Sequence, residues 1–382
     1  MKRVCIVRHN YYPEEAHVRR DAETLVKNGY GVDVICLQKK GEKARETVRG
    51  VNIYRLPVEH HRQGVLRYIF EYSAFLLMAT LVLGWLSLTK RYKVIEVISM
   101  PEILVFATLF PRLLGARVEF YVFDLSPETF SDSYRLSQSH PFIRLMRLLS
   151  KICFSLADHI ITPEFISRRI IMELGVPASK ITMILNVPDE NVFINGNRFS
   201  KTNSHFCLMT HGSILEKYGI QTLIKAVPLL KNDIAGLEVL VVGDGEYLQN
   251  LQELAQSLDI GDYVHFTGLV PFEDVSGYIA QADIGIVPTF IPMLPNKLFE
   301  YLAMGKPVIA TRTPSVEVCF DDDSLMLYET DDEADLARCI LELYRDPEKR
   351  ACLAKSGSRA YQKYRWDNMK HEYLKVFDRL SG

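Results

Sequence analysis

The stretch from Leu294 to Thr311, Leu-Pro-Asn-Lys-Leu-Phe-Glu-Tyr-Leu-Ala-Met-Gly-Lys-Pro-Val-Ile-Ala-Thr, holds the densest set of groups able to do chemistry. It reads as loop, helix, turn and strand. Asn296 and Lys297 fall at the helix start, where unsatisfied backbone amides and the helix dipole favour a phosphate. Glu300 lies one turn further in, and a carboxylate there can accept two hydrogen bonds from a ribose diol. Gly305 and Pro307 end the helix before a buried strand. Three other turns place glycine just after a strand-like run: Thr210-His211-Gly212-Ser213, Val242-Gly243-Asp244-Gly245 and Phe266-Thr267-Gly268-Leu269-Val270. A glycine in such a place either makes a tight turn or lets backbone approach a ligand closely, and three in one half of the chain favour the second reading.

Groups of this kind need a sheet that brings several strand ends to one edge. Short β-branched runs alternate with helix-length segments: Val4 to Val7, Val32 to Leu37, Val51 to Leu56, Val94 to Ser99, Val118 to Phe123 and His159 to Thr162. The pattern pauses in a Pro/Asn/Gly-rich stretch from Asn186 to Asn197 and on through Ser204, and then resumes. The second set is Phe206 to Met209, Leu237 to Val242, Val264 to Thr267, Ile284 to Val287, Val308 to Ala310 and Ser324 to Tyr328. Alternation of this sort predicts an α/β chain of two Rossmann-like, doubly wound parallel-sheet domains facing a cleft, residues 1–188 and 205–361. Ligands bind such sheets where strands end and helices begin.

At 382 residues, 48% hydrophobic and 24% charged, the chain has the composition of an ordinary globular protein, which excludes a disordered or fibrous one. Seven cysteines, an odd number without a C-x-x-C pair, argue against a disulfide framework or a zinc site and for a reducing compartment. Met1-Lys2-Arg3 runs straight into a strand-like segment without the apolar core of a signal peptide, so a cytoplasmic location is expected. The net charge of −2 hides an asymmetry: residues 1–185 carry 26 Lys and Arg against 18 Asp and Glu, and the remainder 19 against 29. The basic half is the one suited to an anionic surface. Nothing in the sequence points to nucleic acid.

Tyr72 to Thr89 is 18 residues without a charge, the lower limit for spanning a bilayer. A span there would put the first strands and the later ones on opposite sides and cut one parallel sheet in half. The segment is therefore expected as a helix buried against the sheet, or one dipped into the membrane interface beside Arg62, Arg67, Lys90, Arg91 and Lys93. Peripheral contact with the inner face of a cell membrane follows from the second form.

The blocks quoted above, with His211-Gly212-Ser213 to Lys217-Tyr218-Gly219 and Ala282-Asp283-Ile284-Gly285, resemble the retaining GT-B glycosyltransferases of the glycogen-synthase-like group 1, which build bacterial polysaccharides. The resemblance covers nearly the whole chain. It implies a sugar moved with retention from a nucleotide sugar, a co-substrate rather than a cofactor, to a polysaccharide or lipid-linked saccharide, with no metal. It implies that the second domain holds the donor: Lys217 neutralises the diphosphate, Gly212 and Ser213 line it, and the backbone of Asn296, Lys297 and Leu298 cradles it. Glu300 would take the ribose, while Gly243, Asp244, Gly245 and Val270 complete the donor side. The acceptor would lie mainly on the first domain, onto which the helix at 362–382 returns. The apolar face of that helix, Trp366, Met369, Tyr373, Val376, Phe377 and Leu380, is spaced for burial.

In the first domain, Phe123-Asp124-Leu125-Ser126-Pro127-Glu128 looks like the family's His-Asp-x-x-Pro-Glu segment, which makes Asp124 and Glu128 candidates for orienting the acceptor. An equally simple reading has Asp124 capping a helix that Pro127 opens. The first strand-to-helix loop, Asn10 to Arg20, carries His17, Arg19 and Arg20, which suit an anionic acceptor or a solvated helix face. Three departures from the family pattern stand out: Pro292 where a sugar-contacting Glu is common, Ser213 where an Arg is common, and Phe123 in place of His. Rival readings are a metal-dependent transferase using Asp321-Asp322-Asp323, a nucleotide-sugar epimerase on the same architecture, and a catalytically silent nucleotide-sugar-binding protein.

Overall fold

The β-branched runs of the first half form an eight-stranded sheet. A computed structural model describes residues 1–58, 65–134, 136–188, 193, 201 and 205–382, and the chain divides into two units. One is Met1–Asn186 with Met369–Gly382; the other is Val187–Asn368. The expected linker falls largely outside the described residues, as does Arg62.

Strands of the first unit are β1 (Arg3–Tyr11), β2 (Gly31–Leu37), β3 (Arg45–Val48), β4 (Val51–Leu56), β5 (Val94–Ile98), β6 (Arg117–Tyr121), β7 (His159–Thr162) and β8 (Ile181–Met183), in spatial order β3-β4-β2-β1-β5-β6-β7-β8. All pairs are parallel except the β3–β4 hairpin, which turns through Arg49 and Gly50, both at positive φ. Leaving out β3 and β8, the strands taken in chain order read 3-2-1-4-5-6, the order of dinucleotide-binding sheets. Helices are α1 (Ala16–Lys27), α2 (Val65–Lys90), α3 (Leu109–Leu113), α4 (Ser126–Ser133), α5 (Pro141–Ser155) and α6 (Phe165–Glu173).

The apolar segment is α2. One core joins its Phe75, Ala79 and Leu83 to sheet residues Ile35, Val97 and Phe120 and to Phe154 of α5, so α2 and α5 cover the same sheet face. The stretch Phe70–Lys90 is long and apolar enough to cross a membrane. Strands before it and strands after it nevertheless share one sheet, which a crossing would divide. The helix end is also clamped to the sheet: Lys90 Nζ donates to both oxygens of Asp33 on β2, at 2.9 and 2.8 Å, and to the Tyr54 hydroxyl at 2.7 Å.

On the other face, Glu96 of β5 and Glu119 of β6 lie side by side in register, and His159 of β7 is next in the row. The terminal helix Trp366–Ser381 lies over them. Tyr373 donates its hydroxyl proton to Glu96 Oε2 at 2.7 Å, and Arg379 Nη2 donates to His159 Nδ1 at 2.8 Å, which leaves Nε2–H to donate to the Thr182 hydroxyl. Burial, then the charge of Arg379, holds His159 down at about 4, so its ring is neutral. Burial, then the nearby Asp21 carboxylate, pushes Glu96 up to about 8, and burial with the Glu96 charge raises Glu119 well above the carboxylate range.

The second unit has strands β9 (Phe206–His211), β10 (Leu237–Val242), β11 (Val264–Gly268), β12 (Ile284–Val287), β13 (Val308–Thr311) and β14 (Met326–Tyr328). They are all parallel, in order β11-β10-β9-β12-β13-β14, again 3-2-1-4-5-6. Its helices are α7 (Ile220–Leu230), α8 (Leu248–Ser257), α9 (Val275–Gln281), α10 (Asn296–Ala303), α11 (Pro314–Cys319), α12 (Glu333–Arg345) and α13 (Pro347–Tyr361). Chain order reverses between β9 and β12, so the edge beyond His211 and Val287 is the place for a ligand.

The buried acids give the first prediction. The fold keeps a proton on Glu96 that the unfolded chain releases above about 4.5, so folding is favoured at low pH and loses stability as pH rises through about 8. Urea unfolding should show a decline of up to about 1.4 kcal/mol per pH unit for one proton. Glu96→Gln, which carries no charge to bury, should flatten that slope; an unchanged slope contradicts the assignment.

Candidate functional site

At the switch point of the second unit, three strand ends are stitched together by backbone. Gly212 N donates to Val242 O at 2.9 Å, Ile214 N to Asp244 O at 2.9 Å, and Gly243 N to Gly268 O at 3.0 Å. The glycines make this possible. Gly243 stands at φ +139°, and a Cβ there would come within 2.0 Å of Gly212 O; one on Gly245 would meet Ile214 O at 2.2 Å. The close approach at these two positions is therefore backbone against backbone. Asp244 accepts from Gly245 N at 2.8 Å, and Val270 follows in the loop after β11.

Opposite this shelf begins α10. Pro295 holds the position before it in extended backbone, and Asn296, Lys297 and Leu298 form its first turn. Leu298 and Phe299 are buried and fix the rotation of the helix, which places Lys297 and Glu300 together on another face. Lys297 reaches toward Gly212: its Nζ would lie 3.8 Å from a Cβ on that glycine, and 6.0 Å from the centre of the Tyr218 ring. That ammonium is buried and makes no hydrogen bond among the described residues. Burial pulls it down to about 8 even though the Glu300 carboxylate favours its charge. Lys217, by contrast, is exposed, with Nζ 5.7 Å from the same Tyr218 ring. Ser213 is exposed as well.

Glu300 does not stand alone. Its Oε2 accepts from His211 Nε2, and the His211 Nδ1 meets the Tyr301 hydroxyl at 2.9 Å, while that hydroxyl lies 2.9 Å from Met209 O. Tyr301 has one proton to give. It goes either to Met209 O or to His211 Nδ1. Either way Nε2 carries hydrogen and Glu300 Oε2 is taken, leaving Oε1 without a hydrogen bond among the described residues.

The remaining motif residues hold this arrangement in place. Gly285 leaves room for the Tyr301 ring, which a Cβ would meet at 2.6 Å. Lys306 donates to the carbonyls of Ala280 and Ala282, both at 2.7 Å, and Asp283 accepts from Cys207 N at 2.8 Å. Pro292 offers only its carbonyl, to Ser315 Oγ at 2.7 Å. His211 and Tyr301 carry the site yet had no assigned role in the sequence reading; their signal was a polar residue at a strand end facing another on an amphipathic helix. Among the described residues no three His, Cys, Asp or Glu side chains gather as a metal set, and Asp321, Asp322 and Asp323 are exposed.

In the first unit, Arg8 grips Glu15 with two bonds, at 2.8 and 2.6 Å, and also donates to Ser99 O. Burial raises the Glu15 carboxyl, but His17 and Arg8 outweigh it and hold the group far below its usual range. The His17 ring lies 4.2 Å from that of Phe123, which in turn stacks on Tyr121 at 4.4 Å. The structure thus brings His17 to the Phe123–Asp124 turn. Asp124 is exposed, and Ser126 N at the start of α4 donates to Glu102 Oε1 at 2.7 Å. Glu128 is tied to Arg147 Nη2 at 2.7 Å. Arg20 packs against buried Asp21 at 3.0 Å and Arg19 is half-buried, so this pair is not a solvated face.

Residues 14–186 match the family model Glycosyl transferase 4-like domain, and residues 205–346 match Glycosyl transferases group 1. Sucrose-phosphate synthase from Thermosynechococcus elongatus superposes with a TM-score of 0.79 at 16% identity, over 100% of this chain and 99% of that one. Anabaena HepE in complex with UDP and glucose does so at 0.74 and 14%, over 99% and 100%. The lipopolysaccharide core biosynthesis glycosyltransferase LpsD of Rhizobium meliloti is 30% identical over 177 residues, 46% of this chain and 50% of its own. A GDP-mannose-dependent phosphatidylinositol monomannoside mannosyltransferase of Mycolicibacterium smegmatis is 26% identical over 162 residues, 40% of this chain and 42% of its own. The chain thus spans about half the length of the curated relatives it matches. The fold is GT-B. On it the chain carries a glycosyl transferase 4-like domain followed by a glycosyl transferases group 1 domain.

The stitched shelf gives the second prediction. Gly243→Ala sets a methyl group against a carbonyl in a left-handed backbone and should cost at least about 2 kcal/mol. Chemical denaturation measures this, and an unchanged midpoint contradicts the packing described.

Proposed function

We propose that the chain is a retaining, metal-independent glycosyltransferase that moves a hexose from a nucleotide sugar to a saccharide or lipid-linked saccharide. The observation that carries the reading is the buried ammonium of Lys297, which makes no hydrogen bond among the described residues, at the strand ends of the second unit. A buried ammonium without hydrogen bonds is costly, and a diphosphate beside it offsets the cost. The amides at the start of α10 add donors to the same anion. Glu300, held through one oxygen by His211, presents the other to the ribose diol.

Breaking the anomeric C–O bond sends its electron pair to the diphosphate, so negative charge grows on the departing oxygens while the sugar becomes oxocarbenium-like. Cations and amides aimed there stabilise the transition state more than the bound donor. Lys297 is in place before the donor arrives; Lys217, free in solvent near the same Tyr218 ring, adds its charge as the bond breaks. With retention the acceptor oxygen bonds to the anomeric carbon on the face the diphosphate leaves, and a departing phosphate oxygen takes the hydroxyl proton. The acceptor is assigned to the first unit, where His17, Arg19, Arg20, Asp124 and Glu128 orient it. The protein works in the cytoplasm or on the inner face of the cell membrane. LpsD and the mannosyltransferase, by their names, act in lipopolysaccharide core and phosphatidylinositol mannoside synthesis, which supports the acceptor class.

Two predictions follow from the division of labour. Glu300→Ala and Lys297→Met should each weaken nucleotide-sugar binding by roughly 1.5 to 3 kcal/mol in calorimetry, while Lys297→Met raises the melting temperature of the unliganded protein. Unchanged affinity in both would remove the site. Lys217→Ala should lower turnover of a radiolabelled donor more than its binding, with activity unaffected by chelator; equal losses would deny it a transition-state role. Isomerised sugar in that assay would indicate the epimerase instead, and binding without turnover the silent protein.

A further inference from the structure

We infer that the first unit carries a second anion site, a cavity at the starts of β6, β7 and β8 that takes a small soluble anion with two linked phosphate groups. It goes beyond the transfer reading, which places the donor diphosphate in the second unit. Arg117 is the first residue of β6, His159 the first of β7 with Asp158 just before it, and Lys180 stands immediately ahead of β8. Phe123 and Asp124 follow the other end of β6, so the cavity lies at the opposite end of the strands from these acceptor-side residues. The last turn of the terminal helix brings Arg379 to the same place, and with Ser179 these side chains line a cavity of about 340 Å³.

Positive charge is in excess here. The one carboxylate in the lining is already engaged: Asp158 accepts from Val118 N at 2.8 Å and pairs with Arg112 and Arg117, each at 3.1 Å. Two arginines on one acid leave a charge over before Lys180 and Arg379 are added. The Lys180 ammonium meets no carboxylate among the described residues. Arg379 donates to His159 Nδ1 at 2.8 Å, and the other nitrogen of that neutral ring is held by the Thr182 hydroxyl at 2.8 Å. Burial, then the charges of Arg379 and Lys180, lowers His159 to about 4, so both cations bear on one spot. Cations gathered in this way repel one another and hold an anion instead. The two guanidinium forks suit phosphate oxygens, and the lysine adds a point charge. A single phosphate group, at about −2, falls short of four cations set against one carboxylate, and a diphosphate meets them. None of the exposed large apolar side chains among the described residues lines the cavity, so nothing there enters a lipid layer and the occupant is soluble. Once bound, it fastens the terminal helix to the three strand starts.

Inorganic pyrophosphate is the probe, titrated by calorimetry into the full chain carrying Lys297→Met, which lacks the ammonium assigned to the donor. One site should remain, tighter for pyrophosphate than for phosphate, and its occupation should raise the melting temperature. Adding Lys180→Glu should weaken that binding by about tenfold or more and remove the thermal shift. Lys180 is exposed, so circular dichroism should be unchanged; Lys180→Ser serves if it is not. Absence of binding to the Lys297→Met protein, or an affinity that Lys180→Glu leaves as it was, overturns the inference. Displacement of pyrophosphate by phosphatidylglycerol vesicles would show a lipid headgroup in its place and overturn it too. If the parent binds pyrophosphate only as the Lys297→Met protein does, the donor site fails and this one stands, so the two readings fall separately.

Discussion

A buried positive charge that makes no hydrogen bond among the described residues is the constraint around which the second unit is arranged. Lys297 points its ammonium at Gly212, within a shelf of strand ends where it finds no hydrogen-bond acceptor among the described residues. Such a group destabilises a protein unless something negative arrives, and the fold supports it only because the surrounding backbone is over-determined. Phe299 and Leu298 lock the helix that carries it; Gly285 admits the Tyr301 ring; Lys306 fastens the turn beyond. The same helix turns Glu300 toward His211, which orients the carboxylate and uses one of its oxygens. Charge and hydrogen-bond acceptor are thus set in place before any ligand binds, as electrostatic preorganisation requires.

The first unit carries a different load. Its sheet buries Glu96 and Glu119 in adjacent register beneath the terminal helix; desolvation raises both, with the Asp21 charge adding at Glu96 and the Glu96 charge at Glu119. That helix comes from the far end of the chain, and Tyr373 and Arg379 are its polar anchors on this sheet. Near the loop after β1, Arg8 and Glu15 form a fixed ion pair beside His17, whose ring lies against Phe123, in the place where the family resemblance implied a histidine. The ring removes one titratable group and supplies a flat apolar wall.

Much of this was legible in the residues themselves. The alternation of β-branched runs with helix-length segments gave two parallel sheets, because strands buried on both faces leave continuous apolar runs. Pro295, Gly305 and Pro307 punctuate α10 tightly enough to fix where it starts and ends, which is why Glu300 could be set one turn inside it. The burial of Lys297 was not legible: whether a lysine beside a helix start faces water or a glycine depends on a strand end 85 residues earlier. Nor could Gly243 and Gly245 be distinguished from ligand-facing glycines, since the backbone they accommodate lies on another loop. The β3–β4 hairpin went unread because Arg45 to Val48 is charged and exposed, as an edge strand is. For α2, composition alone left core and interface open; only contacts show that one side is core and the other is not.

The central claim is that Lys297 receives the diphosphate, and a crystal structure of the protein with a nucleoside diphosphate tests it most directly. A phosphate oxygen within hydrogen-bond distance of Lys297 Nζ, with the ribose on the free oxygen of Glu300, is the result expected. A phosphate bound in the first unit, or in the second unit with Lys297 Nζ still unpartnered, would contradict it.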